Sequence, residues 1–277
     1  MTNWCGSGGG WDVDAPVWDS NFEYTFDGKK YAYPDVTITE QRQQPTETTT
    51  GRACIWHYVP SMDSGGWQAL RFGSSYYDEG MSCDPEFDHE KRIMCFQAAE
   101  LLYLHASALG NPLGDLNLGY VYSYDRCEDH YWEKVMTWET EEDLRRPYPC
   151  DEKAYEHYRR AAEADIAEAC YKLGDLLRDG RGCDQDPAEA FTWFSQAYKL
   201  GKREAPVIWG SAALRLGSAC EEGEGCTQSF EEACAWYERA TTGLGIAVRS
   251  GEDWYRGALR RAERGLTRVR QELDGRY

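Results

Sequence analysis

No stretch of the chain approaches the roughly 20 consecutive apolar residues that a membrane-spanning helix needs. The first residues, MTNWCGSGGGWDVD, lack the basic start and apolar run of a secretory leader. Positive charge is also scarce: 30 Lys and Arg face 48 Asp and Glu, a formal net charge of -18. Such a chain is repelled by nucleic acid and by anionic membranes. A basic protein partner is compatible with it, and so is plain solubility. These absences lead us to expect a cytoplasmic protein that binds neither nucleic acid nor membrane.

Catalytic motifs are equally thin. The 5 histidines (His57, His89, His105, His130 and His157) fall in different contexts, none beside a serine or cysteine in a nucleophile motif. Ser-x-x-Lys is missing, and no Gly-Lys-Ser/Thr closes a phosphate loop. Cys127-x-x-His130 is half of a zinc pattern without a second half. Cys220, Cys226 and Cys234 could converge in one hairpin, although structural zinc takes four ligands at closer spacing. We therefore expect no cofactor, no metal and no catalytic residue. Cysteine itself is plentiful at 11, an odd number, and without a leader these are expected as free thiols.

What the chain does have is internal repetition. LGDLLRDGRGCDQDPAEAFTWFSQA (173–197) aligns without a gap to LGSACEEGEGCTQSFEEACAWYERA (216–240). Gly174, Gly180, Gly182, Cys183, Ala190, Trp193 and Ala197 each recur 43 residues later. A third copy lies upstream, where Ala99, Tyr103, Ala106 and Gly119 recur 55 residues later as Ala154, Tyr158, Ala161 and Gly174. In a fainter fourth copy, Gly80 and Cys83 stand 100 residues before Gly180 and Cys183.

Each copy has the same grammar. An apolar-periodic run ends in a glycine loop, and a second run follows with Ala, aromatic and Ala at helical spacing. Gly180 suits the left-handed position past a helix end. Asp186-Pro187 suits a cap followed by the first helical turn. The reading is four helical hairpins, near 67–110, 111–166, 167–204 and 205–243, followed by a closing helix within 244–277. The fold class is mostly α, an α/α superhelical solenoid in which each helix pair buries its face against the next.

The pattern A-E-A-x-Y-x-L-G-x-L-x-x-D-G-x-G at 167–182, followed by A-x-x-W-F-x-x-A at 190–197, resembles the Sel-one-like repeat family. That family is related to the tetratricopeptide repeats and has a longer loop. The resemblance spans about 67–243, strongest in the last two hairpins. It implies an adaptor or scaffold whose partner, another protein or peptide, sits in a concave groove lined by the first helix of each hairpin. By that analogy the groove residues are Ser74, Tyr77, Tyr120, Ser123, Tyr124, Asp175, Arg178, Ser218 and Glu221. A homodimer closed through the repeats is a further reading.

Cys83, Cys127, Cys183 and Cys226 share one loop position. A nucleophile is needed once, so four copies point to a packing role, with cysteine as a small core hydrophobe. Residues 1–66 lack the repeat. FEYTFDGKKYAY (22–33) alternates about Asp27-Gly28 as a hairpin would, and RACIWHYVP (52–60) reads as a strand. A small β-containing appendage, with Trp4, Trp11, Trp18 and Trp56 as docking surface, is expected to cap the first repeat. The aromatic, acidic insertion at 128–150 raises an alternative, an enzyme or ligand-binding site between it and the appendage.

Overall fold

In the computed structural model the described residues are 63–84, 87–124, 126 and 149–275, with strand segments 23–26, 29–32, 36–38 and 53–55. The chain divides into two compact units, 1–146 and 147–277.

In the first unit, β1 (Glu23–Phe26) pairs antiparallel with β2 (Lys29–Ala32), and β3 (Val36–Ile38) pairs in parallel with β4 (Ala53–Ile55). Pairs this short have little stability of their own, so a folded β appendage does not follow from them. The body of the unit is helical: α1 (Trp67–Ser82), α2 (His89–Ala108) and α3 (Pro112–Ser123). Asp63 starts α1, its carboxylate accepting from the Gln68 and Ala69 amides at 2.9 and 2.7 Å. Asn111 caps α3 through the Leu113 amide, just before a proline in the first turn. Phe96, Leu101, Leu102, Leu104 and Leu118 are fully buried between these helices.

The second unit holds α4 (Pro149–Glu163), α5 (Ala167–Asp179), α6 (Pro187–Gly201), α7 (Pro206–Glu222), α8 (Phe230–Arg249) and α9 (Arg256–Asp274). The repeated Ala-aromatic-Ala triplets are its core: Ala190, Phe194 and Ala197 on α6, and Ala233, Tyr237 and Ala240 on α8, all at most 2% exposed. Gly174 and Gly217 give each aromatic ring its space, because a Cβ there would strike Phe194 or Tyr237.

The loop DGRGCDQDP is an elbow. Gly180 and Gly223 end α5 and α7 in the left-handed region. Asp186 accepts from the Glu189 amide at 2.9 Å with Pro187 following, and Ser229 accepts from the Glu232 amide at 3.2 Å. Gly182 and Gly225 are needed for a second reason. Both have positive φ (70° and 73°) and lie against the first turn of the preceding second helix. A Cβ would collide with the Asp151 carbonyl in one case and the Pro187 carbonyl in the other.

The cysteine slot departs from expectation. Cys83 is buried, but Cys183 and Cys226 are only half-buried, and Cys127 lies outside the described residues. Each of the two follows the glycine whose backbone touches the preceding helix, and Cys226, though only partly buried, packs against the cluster of Cys220, Tyr237 and Leu244. The cysteines at 0% exposure are Cys95, Cys170 and Cys220, on helices.

Candidate interaction surface

The positions read as groove residues lie on the first helices α1, α3, α5 and α7, or at their ends. In the first unit they form an aromatic cluster around one cation. Arg126 donates from Nε to the Tyr77 hydroxyl at 3.2 Å. Its guanidinium also lies 5.0 Å from the Tyr124 ring centre and 5.5 Å from that of Phe96. Tyr120 and Tyr124 stack, with ring centres 6.2 Å apart and planes at 6°. Tyr124 is 53% exposed. Ser74 accepts from the Tyr103 hydroxyl at 3.4 Å, so it is turned toward the second helix of its own hairpin. Ser123 is half-buried.

In the second unit α5, α7 and α9 are joined by a ladder of acids and arginines. Asp175 on α5 receives both Nε and Nη2 of Arg215 on α7, the former at 2.7 Å, and Arg178 Nη1 at 3.3 Å. Glu221 on α7 receives Nε and Nη2 of Arg268 on α9, the latter at 2.7 Å, and the Tyr237 hydroxyl at 2.7 Å. Burial pushes the Glu221 carboxyl up, but the Arg268 and Tyr237 hydrogen bonds outweigh it and hold it below the ordinary glutamate value. Glu221, expected to face a partner, is thus 8% exposed with its carboxylate occupied. Its part is to hold Arg268 and the wall of the site.

Asp175, Arg178 and Ser218 line one open cavity of about 530 Å3, together with Leu214, Arg215, Tyr237, Arg261, Arg264 and Arg268. Five arginines and one aspartate on its wall make it cationic. The expectation of a basic partner, drawn from whole-chain charge, does not carry to this place. Sequence reasoning missed Arg215, Arg261, Arg264 and Arg268. A signal for the last three was present: residues 256–270 contain six arginines and one glutamate in an otherwise acidic chain.

Burial raises the Cys183 thiol to about 11 and the Cys220 thiol to about 12, so neither is a ready thiolate. Cys226 and Cys220 approach to 3.8 Å, but Cys234 faces Glu238 instead, and the three do not converge. Among the described residues no three His, Cys, Asp or Glu gather to hold a metal, and no helix is long and apolar enough to cross a membrane. His105 and His157 lie in their helices, His157 fully buried, and burial lowers the His105 pKa. His57, His130, Trp4, Trp11, Trp18, Trp56 and nearly all of the 128–150 insertion lie outside the described residues, as does the alternative ligand site built from them.

Comparison with known proteins matches the Sel1 repeat at residues 151–166, 167–202 and 210–242. A search of curated proteins finds no match. Among solved structures, a Sel1 repeat protein from Oxalobacter formigenes is 19% identical, over 73% of this chain and 70% of that one, with a TM-score of 0.40. A protective antigen of uropathogenic Escherichia coli strains, displaying an SLR fold, is also 19% identical, over 76% of this chain, with a TM-score of 0.34. This chain spans 46% of that antigen's length.

Proposed function

We propose that this chain, which carries Sel1 repeats at 151–166, 167–202 and 210–242, acts as a protein–protein adaptor, holding a partner along the first helices of its hairpins. Sel1-repeat proteins are in general protein-interaction scaffolds. The observation that supports the groove reading here is how its candidate residues are arranged. In each unit separately, the first helices present polar and aromatic side chains that cations hold in place outside the core. Tyr77 and Tyr124 are held by Arg126, and Asp175 by Arg178 and Arg215. Side chains fixed before binding lose little entropy on contact, and tyrosine and arginine are the residues that most often carry interface energy.

In this reading the contact residues are Tyr77, Tyr120, Ser123, Tyr124, Asp175, Arg178 and Ser218, with Ser74 and Glu221 behind them. The working repeats lie within 67–243, and 244–277 close the stack. The setting is the cytoplasm. The test is capture of partners from the native cell by wild-type chain and by the Tyr120→Ala, Tyr124→Ala double variant. The partner is expected to be lost while helical circular dichroism persists. Full capture by a folded double variant would contradict the groove reading.

A further inference from the structure

The cavity between α5, α7 and α9 is more specific than a general interaction surface. We propose that it binds an acidic segment of the partner, a stretch of chain with at least two neighbouring Asp or Glu side chains. This rests on the adaptor reading and adds the chemistry of what is held.

Three of the five arginines on the cavity wall are already engaged. Arg215 gives Nε and Nη2 to Asp175 and Nη1 to the Ser211 carbonyl. Arg178 is shared between Asp175 and Asp179. Arg268 spends Nε and Nη2 on Glu221. These three are oriented by acids of the protein itself. Arg261 and Arg264 are different. They line the same cavity, they are exposed, and neither makes an ion pair with any described residue. Two uncompensated guanidinium groups therefore project at one end of a wall already built of guanidinium groups. A guanidinium presents five N–H donors in a planar fork that matches a carboxylate two bonds at a time.

The size and setting select a peptide. A cavity of about 530 Å3 is within the usual range of small-ligand sites, roughly 300–1,000 Å3. It is open to solvent and lies along the first-helix face that repeat proteins use for extended ligands, so a chain can enter and leave it. A long nucleic acid would run beyond the arginines over a surface whose formal charge totals -18. A short acidic segment avoids that repulsion. At physiological salt charges are screened over about 8 Å, so its carboxylates sense mainly the arginines beside them.

The test uses the full chain and a fluorescein-labelled hexapeptide of alternating Glu and Asp. The controls are the matching Gln and Asn hexapeptide and a labelled ten-residue oligodeoxythymidine. Anisotropy is expected to rise with the acidic peptide only, and the affinity to fall as salt is raised. The Arg261→Gln, Arg264→Gln double variant, both sites being exposed, is expected to bind the acidic peptide at least tenfold more weakly with unchanged thermal stability. Three results would overturn the proposal: no binding of the acidic peptide, equal binding of the amide control or the oligonucleotide, or an affinity the double variant leaves intact. The two readings fail separately. Loss of the cellular partner in the Tyr120→Ala, Tyr124→Ala variant, without acidic-peptide binding, leaves the adaptor standing and removes the acidic segment.

Discussion

The hairpins α5–α6 and α7–α8 share their scaffolding and differ in what they show to solvent. Their elbows are wired alike, 43 residues apart. Arg181 and Glu224 donate backbone N–H to the Leu176 and Ala219 carbonyls at 3.0 Å in both cases, and the Asp186 and Ser229 amides reach Leu177 and Cys220 at 2.8 and 2.9 Å. Gln185 and Gln228 close the loops on the carbonyls of residues 178 and 221, at 2.7 and 2.9 Å. On the outward positions the copies diverge. Asp175 corresponds to Ser218, Arg178 to Glu221, and Lys172 to Arg215. Even the core aromatic changes, Phe194 to Tyr237, and the added hydroxyl serves Glu221. The repeat thus fixes the elbow, while the charged and polar side chains along the cavity stand at positions that do not repeat.

That comparison can be broken most severely at its core. Phe194 is 1% exposed, so Phe194→Ala is expected to cost about 4 kcal/mol by the cavity it leaves, read by denaturant unfolding. Next come the elbows. Gly182→Ala and Gly225→Ala both force a side chain into positive φ and against a carbonyl, at about 3 kcal/mol each. Near-equal losses are expected if the two elbows do the same work. A difference above about 2 kcal/mol, well beyond ordinary additivity error, would contradict the shared wiring.

Smaller effects sharpen the difference between the copies. Glu221→Gln removes the charge that Arg268 and Tyr237 grip and is expected to cost about 2 kcal/mol near neutral pH. The sign of its pH dependence follows from the lowered carboxyl pKa. The ionised form favours the fold, so the contribution is full above the unfolded value of about 4.3 and is lost as pH falls through the lower folded value. Wild type and Glu221→Gln are expected to converge in stability there. A gap that stays constant down to acid unfolding would contradict the assignment. Tyr237→Phe, which makes the α8 core like that of α6, is expected to cost only about 1 kcal/mol.

What could be read from the sequence was what is local. The left-handed Gly180 and the Asp186-Pro187 cap depend on neighbours within a few positions, and both appear in the structure as expected. The Cys183 slot was placed correctly in the loop but not in depth, because burial depends on a glycine meeting a helix some 30 positions earlier. The ladder was invisible for the same reason: Asp175 and Arg215 are 40 residues apart, and their pairing has no repeat signature. The cationic cavity has no signature in the repeat pattern because the last helix lies outside the repeat match, although its arginines are plain in the composition.

The central claim is that the first helices hold the partner and the second helices support them. Hydrogen–deuterium exchange on the full chain, with and without its captured partner, tests this directly. Slowed exchange is expected in the first helices α1, α3, α5 and α7, and in α9 beside the cavity, with the second helices α6 and α8 unchanged. Protection confined to α6 and α8 would contradict it.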